Sequence, residues 1–216
     1  MSYVPRKKKL RRHEATDLAL YMIDAGFQNS IIQLCTGLSE TMIRAYRDGA
    51  DNAGGTSAGR LKTAARILTN RLRVVHGGLI INAYVRIADN PETCVDIYAL
   101  TSAYHMYLDI VDDIYRGGIK PITLNEAFVL ARDYRCGGGA LEVVRCRCGT
   151  DYLVVADQRI VAGCPLCSMS GTSGSAPPTD HRHPSTRDDK DRDTLSHFIS
   201  LLQGAFPAPR STVRFT

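Results

Sequence analysis

The residues of this 216-residue chain with the most evident chemistry are cysteines, four of its seven lying in CRCGTDYLVVADQRIVAGCPLC, from Cys146 to Cys167. They are spaced Cys146-x-Cys148, fifteen intervening residues, then Cys164-x2-Cys167. Two close thiol pairs brought together supply the four soft donors of a closed tetrahedral zinc site. An iron–sulfur centre uses the same donors. A reactive Cys164/Cys167 dithiol is a third chemistry, but no adjoining helix start or βαβ pattern lowers a thiol pKa there. The expectation is one structural zinc ion per chain, held by Cys146, Cys148, Cys164 and Cys167. A single residue separates the first pair, which makes its knuckle harder to build, so Cys136 stands in reserve for Cys146.

Some local structure must bring the pairs together. Residues 141–169 read as a strand–turn–strand module. The pattern predicts a strand over Tyr152–Val155, a turn at Asp157-Gln158 and a return at Ile160-Val161. Gly149 and Gly163 adjoin the inner cysteine of each pair, where a tight knuckle needs unusual backbone angles. A bound metal contributes folding free energy, which lets so small a module hold without a core of its own. Cys35 and Cys94 fall in helical runs and read as small buried apolar residues.

Before the module, residues 14–135 form a helical body and the expected fold class is mainly α. Ile97, Leu100, Tyr104, Tyr107/Leu108, Val111 and Ile114 trace one stripe at helical spacing. Thr123 and Glu126 make a reciprocal cap for the next helix, expected to run to about Arg135. From Arg60 to His76, Leu61, Ala64/Ala65, Leu68 and Leu72 place the basic residues opposite a buried stripe. Within NSIIQLCTGLSETMIRAYRDG, residues 29–49, a short helix, a Thr36-Gly37-Leu38 corner and a second helix capped by Ser39 make a helix-turn-helix-like unit. A third helix, Ala15 to Ala25, would pack on it through Leu18, Tyr21 and Met22.

Charge placement suggests a polyanionic partner. Residues 1–13 hold six cations without an acid and read as a basic flexible arm. From Asn52 to Ala88 six more (Arg60, Lys62, Arg66, Arg71, Arg73 and Arg86) occur without an acid. Such segments favour nucleic acid or an acidic protein surface. The exposed candidates for base or phosphate contact on the second corner helix are Thr41, Arg44 and Arg47, beside Glu40. Arg60, Lys62, Arg66, Arg71 and Arg73 are candidate phosphate clamps. A zinc-stabilised protein-interaction scaffold without direct DNA reading is the alternative.

Enzyme chemistry finds little support. Asp109, Asp112 and Asp113 sit on the polar side of an amphipathic helix, His76 and His105 are isolated, and His181-x-His183 lies in a polar tail. The sequence contains no GxxxxGK[ST], strand-borne GxGxxG or HExxH pattern. Residues 170–216, opening SGTSGSAPPTDHRHPSTRDDKDRD, are too polar to order themselves and read as a mostly disordered tail. A hydrophobic fraction of 44% with 23% charged residues is that of a soluble protein. No apolar stretch approaches the roughly 18–20 residues that cross a bilayer, no secretory signal is evident, and the clustered, odd cysteines suit a reducing cytoplasm.

A helical body with an early corner, then a cysteine-pair module and a polar tail, resembles the FlhC family of bacterial flagellar transcriptional activator subunits. The likeness spans roughly Ala15 to Met169. It is carried by LCTGLSETMIRAYRDG, SAYHMYLDIV, AFVLARDY and CRCG…GCPLC. The resemblance implies a zinc protein that assembles with an FlhD-type partner into a hetero-oligomer, binds double-stranded promoter DNA and helps recruit RNA polymerase to flagellar operons. It places the family's zinc thiolates on Cys146, Cys148, Cys164 and Cys167, although members generally have CxxC where this chain has CxC.

Overall fold

The computed structural model describes residues 6–49, 61–114, 120–135, 140–155, 163–165 and 167. Seven helices and two strands follow in order among them: α1 (Arg6–Asp24), α2 (Asn29–Thr36), α3 (Glu40–Asp48), α4 (Ala64–Ile67), α5 (Arg71–Ile87), α6 (Ile97–Ile114), α7 (Leu124–Arg135), β1 (Leu141–Arg145) and β2 (Asp151–Val155). The mainly helical architecture expected from the periodicity is therefore present, with the cysteine cluster after it. The polar tail lies outside the described residues.

α1 begins earlier than the flexible-arm expectation allowed, because Arg6 is already helical. Lys and Arg are good helix formers, so the basic run continues the helix instead of preceding it. α1 buries Ala19, Met22 and Ile23 under α2 and α3, while Leu18 and Tyr21 are half-buried. Gly37 ends α2 with φ 69°, a left-handed conformation that its missing side chain makes inexpensive. Ser39 then caps α3 by accepting the Met42 amide, and Glu40 sits in the first turn. Ile31, Ile32 and Ile43 close the corner from inside.

The corner joins the rest through α7. Phe27 meets Phe128 edge-on, ring centres 6.4 Å apart, and the Asn125 side chain accepts the Gln28 amide at 2.8 Å. α5 runs through the middle and buries residues on every side, from Val74 to Tyr84, against α6, α7 and β2. The Arg60–His76 run is not one amphipathic helix: Asn70 accepts the Arg73 amide and starts α5 anew after the short α4. α6 carries the expected stripe, with Ile97, Leu100, Tyr107 and Val111 buried. The Thr123/Glu126 cap is present in both directions, at 3.1 and 3.3 Å.

Two cysteine expectations fare differently. Cys35 is half-buried on α2, and burial pushes its thiol up to about 11, opposed by Arg135. Cys94 is exposed, because residues 88–96 form a turn held by Tyr84 and not a helix; the Tyr84 hydroxyl donates to the Cys94 carbonyl and accepts the Asp96 amide.

Candidate metal centre and nucleic-acid interface

β1 and β2 pair antiparallel, Leu141 opposite Val155 and Arg145 opposite Asp151. Tyr152–Val155 is thus a strand as expected, but its partner lies upstream, so the first cysteine pair forms the hairpin's own turn. The expected turn at Asp157-Gln158 and return at Ile160-Val161 lie outside the described residues. Leu141, Leu153 and Val155 face the helical body. Leu153 reaches Gly77 of α5, where an added Cβ would lie 2.7 Å from Leu68 Cδ2, 3.1 Å from Leu153 Cδ1 and 3.3 Å from Leu130 Cδ1.

The CxC knuckle is built by the backbone. The Cys146 amide donates to the Thr150 carbonyl at 2.8 Å, and the Gly149 amide donates to the Cys146 carbonyl at 2.9 Å. Gly149 has φ 88°, a conformation that favours glycine. Gly163 has no positive φ, contrary to expectation.

The knuckle brings all four sulfurs of Cys146, Cys148, Cys164 and Cys167 within 4.8 Å of one another. Cys146 Sγ lies 3.6 Å from Cys167 Sγ, and Cys148 Sγ 3.8 Å from Cys164 Sγ. A disulfide would need about 2.05 Å. A tetrahedron with bonds of about 2.3 Å has edges of about 3.8 Å, so the donors present fit a four-thiolate zinc site. Cys136 lies outside the described residues; the set of four is complete with Cys146.

The electrostatics point the same way. Burial would raise the Cys148 thiol, but hydrogen bonds from the Thr150 side chain and backbone and from Cys146 and Cys167 bring it down to about 6. Cys167 is pushed up to about 12, chiefly by its hydrogen bonds to Cys148 and Cys146. A cation at the centre would hold each coordinating thiol ionised.

The expected DNA-contact residues separate into distinct groups. Arg47 is only 7% exposed. Its guanidinium donates to the Phe27 carbonyl at 2.7 Å and the Asn29 side chain at 3.1 Å, so it secures the corner from inside and is not the exposed reader expected. Arg47 lies one helical turn beyond the buried Ile43, a spacing that could have revealed this. Thr41 and Arg44 are exposed, with Arg44 bonded to Glu40 at 2.6 Å.

Lys62 and Arg73 converge on Glu126 at 2.9 and 2.8 Å. Arg73 also donates to the Ile67 carbonyl and is largely covered, which corrects its expected role as a free clamp. Burial would raise the Glu126 carboxyl, but the Lys62 and Thr123 hydrogen bonds and the Arg73 charge hold it below the ordinary range. Arg66 and Arg71 are exposed, and among the described residues neither makes an ion pair. Arg60 lies outside the described residues.

Two exposed cations beside the thiols escaped the sequence reading: Arg145, which ends β1, and Arg147, between the first two thiols. Their signal was the alternation of cation and thiol in RCRC, which lies outside both acid-free segments. No helix among the described residues is long and apolar enough to cross a membrane.

A family model described as the flagellar transcriptional activator (FlhC) matches residues 5–178, a span that runs from the start of α1 through both cysteine pairs. No curated protein matches the chain.

Proposed function

This chain belongs to the FlhC family of flagellar transcriptional activators, and from that premise we propose that it is the DNA-binding activator subunit of a hetero-oligomer with an FlhD-type partner. In this proposal the complex works in the cytoplasm, binds double-stranded promoter DNA of flagellar operons and helps recruit RNA polymerase. The single observation carrying the proposal is the family match, which includes the helical corner and the cysteine module together.

The physical division of labour follows from the residues. Zinc, with Cys146, Cys148, Cys164 and Cys167 as its ligands, has a structural role: four thiolates leave no position at which water could be activated. Exposed Arg66 and Arg71 supply sequence-independent phosphate attraction. Thr41 and Arg44 are the side chains of α3 placed to approach base edges, and Arg44 must leave Glu40 to do so.

Co-purification with the FlhD-type partner, then metal analysis and duplex binding over a salt series, tests the proposal. The wild-type complex is expected to carry one zinc per chain and to lose affinity steeply with salt. Arg66→Glu with Arg71→Glu should weaken binding to unrelated duplexes alike and flatten the slope. Duplex binding that is absent, or indifferent to salt, would overturn the DNA-binding reading.

One observation favours the alternative of an interaction scaffold. The exposed face of α3 holds Glu40, Thr41, Arg44 and Asp48, with its one arginine bonded to an acid, and is not a basic surface. A scaffold would retain partner and zinc while showing no salt-dependent duplex binding.

A further inference from the structure

Taking the DNA-binding reading above as its basis, we propose that the metal knuckle is itself a grip on the duplex phosphate backbone, with Arg147 as its principal contact and Arg145 as its second. Arg147 sits at the hairpin's end between two metal-ligating thiols, and Arg145 precedes them; both are exposed. Among the described residues neither enters an ion pair. Asp151 stands opposite Arg145 in the strand register, yet no salt bridge joins them.

That freedom they share with Arg66 and Arg71, but not with the other basic side chains of the body that carry ion pairs. Arg44 is bonded to Glu40, Lys62 and Arg73 to Glu126, and Arg132 to Asp133. A cation already on a carboxylate must exchange that partner for a phosphate and gains little by it. The knuckle arginines lose only water, and a guanidinium presents its donors as a planar fork that matches phosphate oxygens.

Their base is rigid as well. The Cys146–Thr150 and Gly149–Cys146 backbone bonds close the turn on which they stand. Contacts projected from a fixed turn lose less conformational freedom on binding than contacts from a loose loop. A metal inside the four sulfurs adds a further anchor directly beside Arg147.

A competing role must be separated from this one. A divalent ion within four thiolates leaves a net negative charge, and two neighbouring arginines would neutralise it. Neutralisation alone predicts weaker metal retention without any change in DNA binding at full metal occupancy. The phosphate grip predicts the reverse emphasis.

The test uses the full chain in complex with its FlhD-type partner. Arg145→Gln with Arg147→Gln is compared with wild type on two unrelated duplexes over a salt series, at zinc content verified as equal. Two lost phosphate contacts should flatten the slope of log K against log salt by about 1.8, with affinity at ~0.1 M salt falling roughly ten- to hundredfold on both duplexes. Arg145→Lys with Arg147→Lys, which keeps the charge, should recover most of the slope. If the glutamine variant keeps the wild-type slope, the grip is overturned while the DNA-binding reading stands. If zinc content falls in that variant and the zinc-loaded fraction still binds as wild type does, the arginines serve only the cluster and the proposal fails. A wild-type complex without salt-dependent duplex binding would overturn both.

Discussion

The helical corner and the metal knuckle each reverse the chain around a glycine of positive φ, Gly37 at 69° and Gly149 at 88°. They are held by opposite means. Beneath the corner lie Ile31, Ile32 and Ile43, with Arg47 turned inward onto Phe27 and Asn29. At the knuckle, four sulfurs gather within 4.8 Å of one another at the end of a hairpin whose Leu141, Leu153 and Val155 pack on the body. The surviving charge differs: the corner turns Arg47 inward and pairs exposed Arg44 with Glu40, whereas the knuckle leaves Arg145 and Arg147 exposed and outside any ion pair among the described residues.

Removing a sulfur should separate the two regions most sharply. Cys164 is buried and, in the fitted site, supplies one of four ligands. Structural zinc binding in small modules amounts to roughly 10–16 kcal/mol of apparent free energy, nearly all of it coupled to folding. Cys164→Ser should therefore lower zinc from about one per chain toward none and open residues 141–155 to protease, while far-UV circular dichroism keeps its helical signal. Full zinc content with an unchanged cleavage pattern would exclude Cys164 as a ligand. A simultaneous loss of helix would show that the body depends on the knuckle for its folding.

Much of this division was legible in the sequence where the determining contacts are local. The four thiols could be selected by spacing, the α6 stripe by its period, and the caps at Ser39 and Thr123 by residue type. What escaped depends on residues distant in the chain. Glu126 gathers Lys62 and Arg73 from more than fifty positions away, and no local pattern marks that meeting. β1, though its partner is near in sequence, was hidden because LEVVR is only five residues long. Arg47 is the instructive miss: its spacing from Ile43 was visible, but an arginine on an apolar face is unexpected unless a carbonyl such as that of Phe27 awaits it.

Arg47 accordingly supplies the corner's counterpart to Cys164→Ser, with a smaller expected effect. Arg47→Met keeps the aliphatic bulk but leaves the Phe27 carbonyl and the Asn29 side chain without their donor. Stranding a buried polar group costs about 1–3 kcal/mol. The variant should unfold at lower denaturant concentration by an amount within that range, keep its zinc, and show an unaltered salt slope on duplex DNA. A flattened slope with wild-type stability would instead place Arg47 in the DNA contact.

Gly77 is where the helical body meets the hairpin of the knuckle, and its substitution is expected to have the smallest effect. Replacing a glycine inside a helix with alanine stabilises that helix by about 1 kcal/mol. The added methyl group would meet Leu68 at 2.7 Å, Leu153 at 3.1 Å and Leu130 at 3.3 Å, and overpacking of this kind costs about 1–3 kcal/mol. The contact terms exceed the helical gain, so Gly77→Ala should lower stability by about 1 kcal/mol. Its direction is more informative than its size. All three leucines are buried, but Leu68 and Leu130 lie among the helices, whereas Leu153 belongs to a two-stranded hairpin. Strain is relieved most cheaply by displacing Leu153, and with it the strand that leads out of the knuckle. A chelator should then strip zinc from Gly77→Ala several-fold faster than from wild type, although no ligand has changed. Equal stripping rates with lowered helical stability would mean that the metal module rests on the body without being coupled to it.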